Sequence, residues 1–210
     1  MGSENSEVRT VINKFLQKWC EKNKRKISCL KLTGSLEDYL VKELAYQFLT
    51  NRFRVYLNMG ARRRKIDMCI ISKTGKNNTY QIRALIEVKY LSNAHWDVRD
   101  SARFGWEGRY ETLITQLGTI NNNTSDNLKG IREKMKLMNK TSHPDMDIIW
   151  KDQEVEVYGL IFVGAIIGTE KDKEFLKSIN DVVDGNFKVK LETIFELDRV
   201  GFYGAVCEKQ

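Results

Sequence analysis

Histidine is nearly absent from this chain: His95 and His143 are the only two in 210 residues. A three-histidine metal centre, and any mechanism built on several imidazoles, is thereby excluded. Cysteine offers no substitute, because Cys20, Cys29, Cys69 and Cys207 include no CxxC pair, so neither a zinc cluster nor a disulfide framework has support. Reduced thiols are expected, as in cytosolic proteins. Proline is represented by Pro144 alone, glycine- and serine-rich runs are missing, and no internal repeat is visible. The usual marks of an interdomain linker are therefore lacking. No apolar run approaches the roughly 20 residues of a membrane span, and the opening Met1-Gly2-Ser3-Glu4-Asn5 is polar. A single domain over residues 1–210, without membrane association and with a cytoplasmic location, is the expectation.

Charge is what the chain has in quantity. Thirty-five Lys and Arg face 28 Asp and Glu, a surplus of +7, which suggests an anionic partner, with nucleic acid the leading candidate. With imidazoles and thiolates set aside, carboxylates must do any chemistry. A hydrophobic content of 41% argues for a packed core rather than a disordered chain.

The apolar pattern predicts a helix at about 7–21 from Val8, Val11, Ile12, Phe15 and Trp19, leading into a solvated basic loop at Lys22, Lys24, Arg25 and Lys26. Ser35 is placed to cap a second helix carrying Leu36, Tyr39, Leu40, Leu44 and Phe48. Phe53–Leu57, Ile66–Ser72 and Tyr80–Leu91 read as strands, the last two joined through the turn chemistry at 74–78. Helical spacing returns at Trp106, Tyr110, Leu113, Ile114, Leu117 and Ile120, and again over Leu128–Met138. Val155–Ile167 has the unbroken apolar character of a central strand covered on both faces. Glu170–Val183 reads as a helix, and Phe187–Leu191 and Gly201–Cys207 as late strands. The fold class is α/β, with a central mixed sheet flanked by helices.

Side chains two apart on a strand share a face, so Glu87 and Lys89 point one way while Ile86, Val88 and Tyr90 point the other. Charged groups in so apolar a strand ask for partners. Asp67 lies across the hairpin, and Glu37, in the first turn of the preceding helix, reaches the same point if that helix packs on the sheet. Such a set suits phosphodiester hydrolysis. Mg²⁺ favours a few carboxylate or carbonyl oxygens plus water, a need that Asp67 and Glu87 meet. A neighbouring Lys89 orients the nucleophile and stabilises developing charge. The basic run Arg62, Arg63, Arg64 and Lys65 comes just before Asp67, where a DNA backbone held by it lies beside the metal.

At these residues the sequence resembles the PD-(D/E)XK nuclease superfamily, with its restriction-endonuclease-like fold. The superfamily's helix acid, strand Asp and Glu-x-Lys correspond to Glu37, Asp67 and Glu87-Val88-Lys89. Glu87 is also the only acid in the chain followed two positions later by Lys. Local similarity to archaeal Holliday junction resolvases runs from Gly34 to Leu44 and through the arginine run. Ile66 stands where the superfamily pattern has proline. The motif core covers about 34–120, with an N-terminal helix at about 7–21 and a C-terminal extension of the sheet at about 154–207.

The resemblance implies a Mg²⁺-dependent deoxyribonuclease in which Mn²⁺ substitutes, acting on DNA as a homodimer, with branched or structured DNA among the candidate substrates. Asp67, Glu87 and the Val88 carbonyl then hold the metal, Lys89 orients water, and Glu37 serves a second ion or its waters. Gln116, on the helix after the motif, falls where superfamily members often carry a polar active-site residue, and Glu43 is the alternative to Glu37. An edge-strand ion pair is the plainer reading of Glu87 and Lys89. A catalytically silent DNA-binding or assembly module on the same fold, and RNA or a small nucleotide as substrate, stay open.

Overall fold

Runs of β-branched and aromatic residues build the sheet of the computed structural model, which describes residues 6–31, 36–59, 66–74, 78–92, 133–134, 147–149, 155–166, 183–184, 187–188, 192–198 and 200–208. Its strands are β1 (Arg54–Met59), β2 (Ile66–Lys73), β3 (Thr79–Ser92), β4 (Asp147–Ile149) and β5 (Glu156–Ile166). Next come β6 (Val183–Asp184), β7 (Phe187–Lys188), β8 (Glu192–Leu197) and β9 (Val200–Glu208). Seven of them form one mixed sheet in the order β1-β2-β3-β5-β9-β8, with β4 beside the start of β3; β6 and β7 make a separate two-stranded ribbon. β3 runs parallel to β4 and β5, while the β1–β2, β2–β3, β5–β9 and β8–β9 pairs are antiparallel. The expected α/β class with a mixed sheet is what the chain adopts.

The strand boundaries expected for β1, β2, β3, β5 and β9 lie within two residues of those observed. Two expectations are corrected. The basic stretch after Lys22 is not a loop: Lys24–Lys31 is helical, because Ile27 is buried and Leu30 packs against the core, giving the segment an apolar side. Val183 starts β6 rather than ending a helix; of the strand expected over Phe187–Leu191, Phe187–Lys188 forms β7 and 189–191 lies outside the described residues. The helices expected near 103–121 and 170–182, and most of that at 128–138, lie outside the described residues.

Among the described residues, α1 (Glu7–Lys14), α2 (Cys20–Lys22), α3 (Lys24–Lys31) and α4 (Leu36–Thr50) cover one face of the sheet. Ser6 caps α1, its hydroxyl accepting the Arg9 N–H at 3.0 Å. The same hydroxyl donates to Glu156 Oε2 at 2.9 Å, pinning the start of α1 to β5. Between α1 and α2 a π-helical turn, Phe15–Trp19, keeps the chain winding. It widens the spacing of core positions: Phe15 and then Cys20, five residues on, are buried, and the Trp19 ring stacks on Phe15 at 4.8 Å. α4 closes with the Phe53 N–H on Phe48 O and the Arg52 N–H on Leu49 O. Arg52 holds the left-handed φ of 68° that this type of helix end requires.

The main core lies between helices and sheet and joins Val8, Ile12, Phe15, Leu40, Leu44 and Phe48 to Met68, Ile70, Ile86, Val88 and Phe162. A second cluster on the opposite face contains Cys69, Ile71, Tyr80, Ile82 and Leu85. A bulge divides β3 between the two. Ile71 pairs with Ile82 but Ile70 with Ala84, so Arg83 is the extra residue. After it, Ala84, Ile86, Val88 and Tyr90 face the helices, leaving Leu85, Glu87 and Lys89 for the other side. All four cysteines are free and three of them are buried. Burial pushes the Cys69 and Cys207 thiols up to about 12, which leaves them inert at neutral pH. Among the described residues no helix is long and apolar enough to cross a membrane.

Candidate active site

β3 outruns its neighbour. Its pairing with β2 extends only as far as Met68 opposite Ile86, whereas β3 itself continues to Ser92. Backbone amides on that uncovered edge need acceptors, since a buried N–H left unmade is costly. Carboxylates supply them. Asp67 Oδ2 accepts the Val88 N–H at 2.8 Å, and Glu37 Oε2 accepts the Tyr90 N–H at 2.8 Å. In return, the Asp67 N–H donates to Glu87 Oε2 at 3.3 Å. Asp67 and Glu87 thus clasp each other's strands at the point where the two strands part.

Glu37 reaches this point because α4 is seated firmly. Leu36, Leu40, Leu44 and Phe48 are all buried, and the acid that follows Leu36 lies over the end of the sheet. Lys89 then draws the acids together. Its ammonium lies 2.9 Å from Glu87 Oε1 and 3.7 Å from Glu37 Oε1, and it donates to the Val88 carbonyl at 3.0 Å. Exposure is graded across the set: the Glu87 side chain is 2% exposed, Lys89 16% and Glu37 33%.

Three carboxylates around one ammonium leave the cluster two charges negative when all are ionised. The cost falls on the most buried member. Burial pushes the Glu87 carboxyl up to about 7, Asp67 adds to the rise, and Lys89 and the Asp67 amide hold it back. Asp67 is also raised, first by burial, against the Val88 amide and Lys89, with Glu37 and Asp38 contributing repulsion. Burial opposes the charge on Lys89, yet Glu87, Glu37 and Asp67 outweigh it and hold the lysine above its ordinary value. Lys89 is therefore a protonated donor at neutral pH and not a general base.

Of the residues singled out from sequence, Glu37, Asp67, Glu87, Val88 and Lys89 come together. Glu43 does not join them; it acts on Lys26 and Tyr39 instead. Arg62, Arg63, Arg64, Lys65 and Gln116 lie outside the described residues. Sequence reasoning missed Asp38, exposed in the same turn as Glu37 and close enough for its charge to bear on Asp67; its adjacency to Glu37 was the available signal. It also missed the backbone amides of Val88 and Tyr90, which fix the acids' orientation. Among the described residues no group of three or more His, Cys, Asp and Glu side chains is arranged to hold a metal by itself. The convergent oxygens are a carboxylate pair, Asp67 and Glu87, with the Val88 carbonyl beside them and Glu37 on the far side of Lys89.

No protein-family model, curated protein or solved structure matches this chain.

Proposed function

We propose that this protein is a metal-dependent endonuclease of the restriction-endonuclease-like type, hydrolysing phosphodiester bonds in DNA and working as a homodimer with one site per strand. The observation that carries the reading is the mutual clasp of Asp67 and Glu87 at the parting of β2 and β3, with Lys89 bonded to both Glu87 and the Val88 carbonyl. An edge-strand pair with both heads in water does not account for it, since Glu87 is 2% exposed.

The donor set suits Mg²⁺ or Mn²⁺. All of its atoms are hard oxygens, and Mg²⁺ commonly takes only one or two carboxylates, the rest of its shell being water and substrate. Glu87 is raised by burial first and then by the Asp67 charge, and a cation at this place would relieve both. Asp67, Glu87 and the Val88 carbonyl would hold the ion, with Glu37 serving its waters or a second ion. When bound, the ion supplies charge neutralisation at the scissile phosphate and a more acidic water.

The chain's own groups have separate tasks. Lys89, kept protonated by its three acids, donates to the attacking water or to a phosphate oxygen as negative charge grows on it. Such help is typically worth about 10²–10³ in rate. Glu37, bonded to the Tyr90 amide, keeps that ammonium from swinging away. Asp67 and Glu87 hold the two strand ends at a fixed separation, so the site needs little rearrangement to engage substrate.

The test is cleavage of supercoiled plasmid and of a synthetic four-way junction in Mg²⁺, Mn²⁺ or EDTA, by the wild type and by Asp67→Ala and Lys89→Ala. Metal-dependent cleavage lost in both variants is the expected result, and preference for the junction would identify branched DNA as substrate. Cleavage retained by Lys89→Ala, or DNA binding without any product, would overturn the proposal; the latter would indicate a silent DNA-binding module.

A further inference from the structure

The chain's positive charge is not spread evenly. Residues 7–31 hold eight lysines and arginines against two acids, Glu7 and Glu21, and so account for six of the seven net positive charges. The other 185 residues are nearly balanced, with 27 basic and 26 acidic. This surplus lies on helices rather than in a loop. Lys14, Lys18 and Lys22 recur every four residues across the π-helical turn, about 6 Å apart along a helix axis, and Arg25 and Lys26 continue the series on α3; all five are exposed. Lys24 is set apart by its ion pair with Glu21 at 2.7 Å.

We infer that the outer surface of α1, the π-helical turn, α2 and α3 is a sequence-independent docking surface for a nucleic-acid backbone, leading the strand toward the carboxylate–lysine cluster. The inference rests on the nuclease reading for the identity of the polyanion, and it adds the place where that polyanion binds. Position supports it. Lys26 lies over the Tyr39 ring, 4.5 Å from its centre, and Tyr39 follows Glu37 by two residues in α4. Trp19 meets the same ring at 5.9 Å. The basic series thus ends beside the helical turn that supplies the site with Glu37, and Glu43 is the acid that faces Lys26 there.

A basic amphipathic helix can also mark a membrane surface, but that mode requires apolar side chains free to enter the lipid. Here the apolar side is spent on the core: Val8, Val11, Ile12, Phe15, Cys20 and Ile27 are buried. Among the described residues the exposed large hydrophobics are Tyr46, Leu49, Leu57 and Ile149, none of them on α1, α2 or α3. A surface with charge and no insertable apolar groups is suited to phosphates held in solution.

The experiment measures binding of a fluorescent DNA duplex in EDTA across a sodium chloride series. It compares the wild type with Lys14→Gln/Lys18→Gln/Lys22→Gln/Arg25→Gln, and with a control, Lys42→Gln, whose residue is exposed on α4. Each phosphate contact contributes about 0.9 to the slope of log affinity against log salt. The quadruple variant is expected to lose about three to four from that slope, and the control well under one. An unchanged slope, an equal loss per charge in the control, or no binding by the wild type would overturn the inference. So would loss of binding to phosphatidylserine vesicles by the quadruple variant with its DNA slope intact. Binding without metal is measured apart from cleavage. A wild type that cuts DNA with a slope insensitive to these lysines removes the docking surface alone, and a sensitive slope without cleavage removes the nuclease alone.

Discussion

Replacing Glu87 by glutamine should stabilise the metal-free protein at pH 8, although it removes a proposed ligand. The Glu87 carboxyl is raised from 4.5 to about 7 by burial and by Asp67, so folding takes up a proton there. A raised carboxyl contributes stability that is fully present below its unfolded value and is lost as pH climbs through the folded one. The relevant window runs from about pH 4.5 to about pH 7. At 1.36 kcal/mol per unit, the loss amounts to about 3 kcal/mol once Glu87 is ionised. Because Glu87 is 2% exposed, solvent screening does little to reduce it. Lys89 does not blur the window, since its own pKa stays above the ordinary lysine value. Asp67, also raised, acts in the same direction. Glutamine keeps the shape of the neutral acid, so Glu87→Gln should match the wild type near pH 4.5 and exceed it by about 3 kcal/mol at pH 8. For a chain of this size that is about 6–12 °C in Tm. Urea and thermal unfolding in EDTA from pH 4.5 to 8 measure the difference, and adding Mg²⁺ at pH 8 should narrow it by stabilising the wild type alone. Parallel stability curves for the two proteins, or a variant weaker at pH 8, would refute the reasoning.

Lys89→Met removes the only cation bonded to Glu87 among the described residues, and breaking such a buried pair costs about 3–5 kcal/mol; urea unfolding should show that loss at pH 8 and a much smaller one at pH 5, where Glu87 carries a proton. Ser6→Ala deletes the cap on the Arg9 amide and the bond to Glu156, which should lower stability by about 0.5–2 kcal/mol and leave plasmid cleavage unchanged. Leu44→Ala, at a fully buried position, should cost about 2–5 kcal/mol; because α4 carries Glu37, cleavage at a temperature where the variant remains folded should fall as well.

Strand positions were legible because apolar alternation and β-branched runs are local signals, and Glu87-Val88-Lys89 stood out as charge inside such a run. The share of Glu37 in the cluster was legible only as a possibility. Its bond to the Tyr90 amide depends on β3 outrunning β2, a property of pairing length and not of either sequence alone. α3 was hidden because its two core-facing residues, Ile27 and Leu30, sit among lysines and arginine and give too short an apolar period. The π-helical turn was hidden for a related reason: Phe15, Trp19 and Cys20 fit more than one winding until Phe162 meets Phe15 edge-on at 6.3 Å. β8 is half exposed, and its mixed sequence Glu192–Leu197 carries little alternation to detect.

The bulge at Arg83 makes β3 behave like a reading frame. Tyr80 and Ile82 sit on the face away from the helices, yet Ala84, Ile86 and Val88, with the same even numbering, sit on the helix face. One inserted residue has shifted the phase, and Glu87 and Lys89 stand on the face away from the helices only in the shifted phase. Deleting Arg83 would set Ala84 directly after Ile82 in simple alternation and leave Glu87 and Lys89 on their present face, whereas losing one residue between Ala84 and Glu87 would turn the acid and the lysine into the core and Val88 and Tyr90 out of it. A compensating single-residue insertion in that same stretch would put the phase right again. Length changes between Thr74 and Asn78 carry no such penalty, because they fall outside the frame. In this strand, spacing from the bulge decides which side chains meet at the carboxylate–lysine cluster, as much as their identity does.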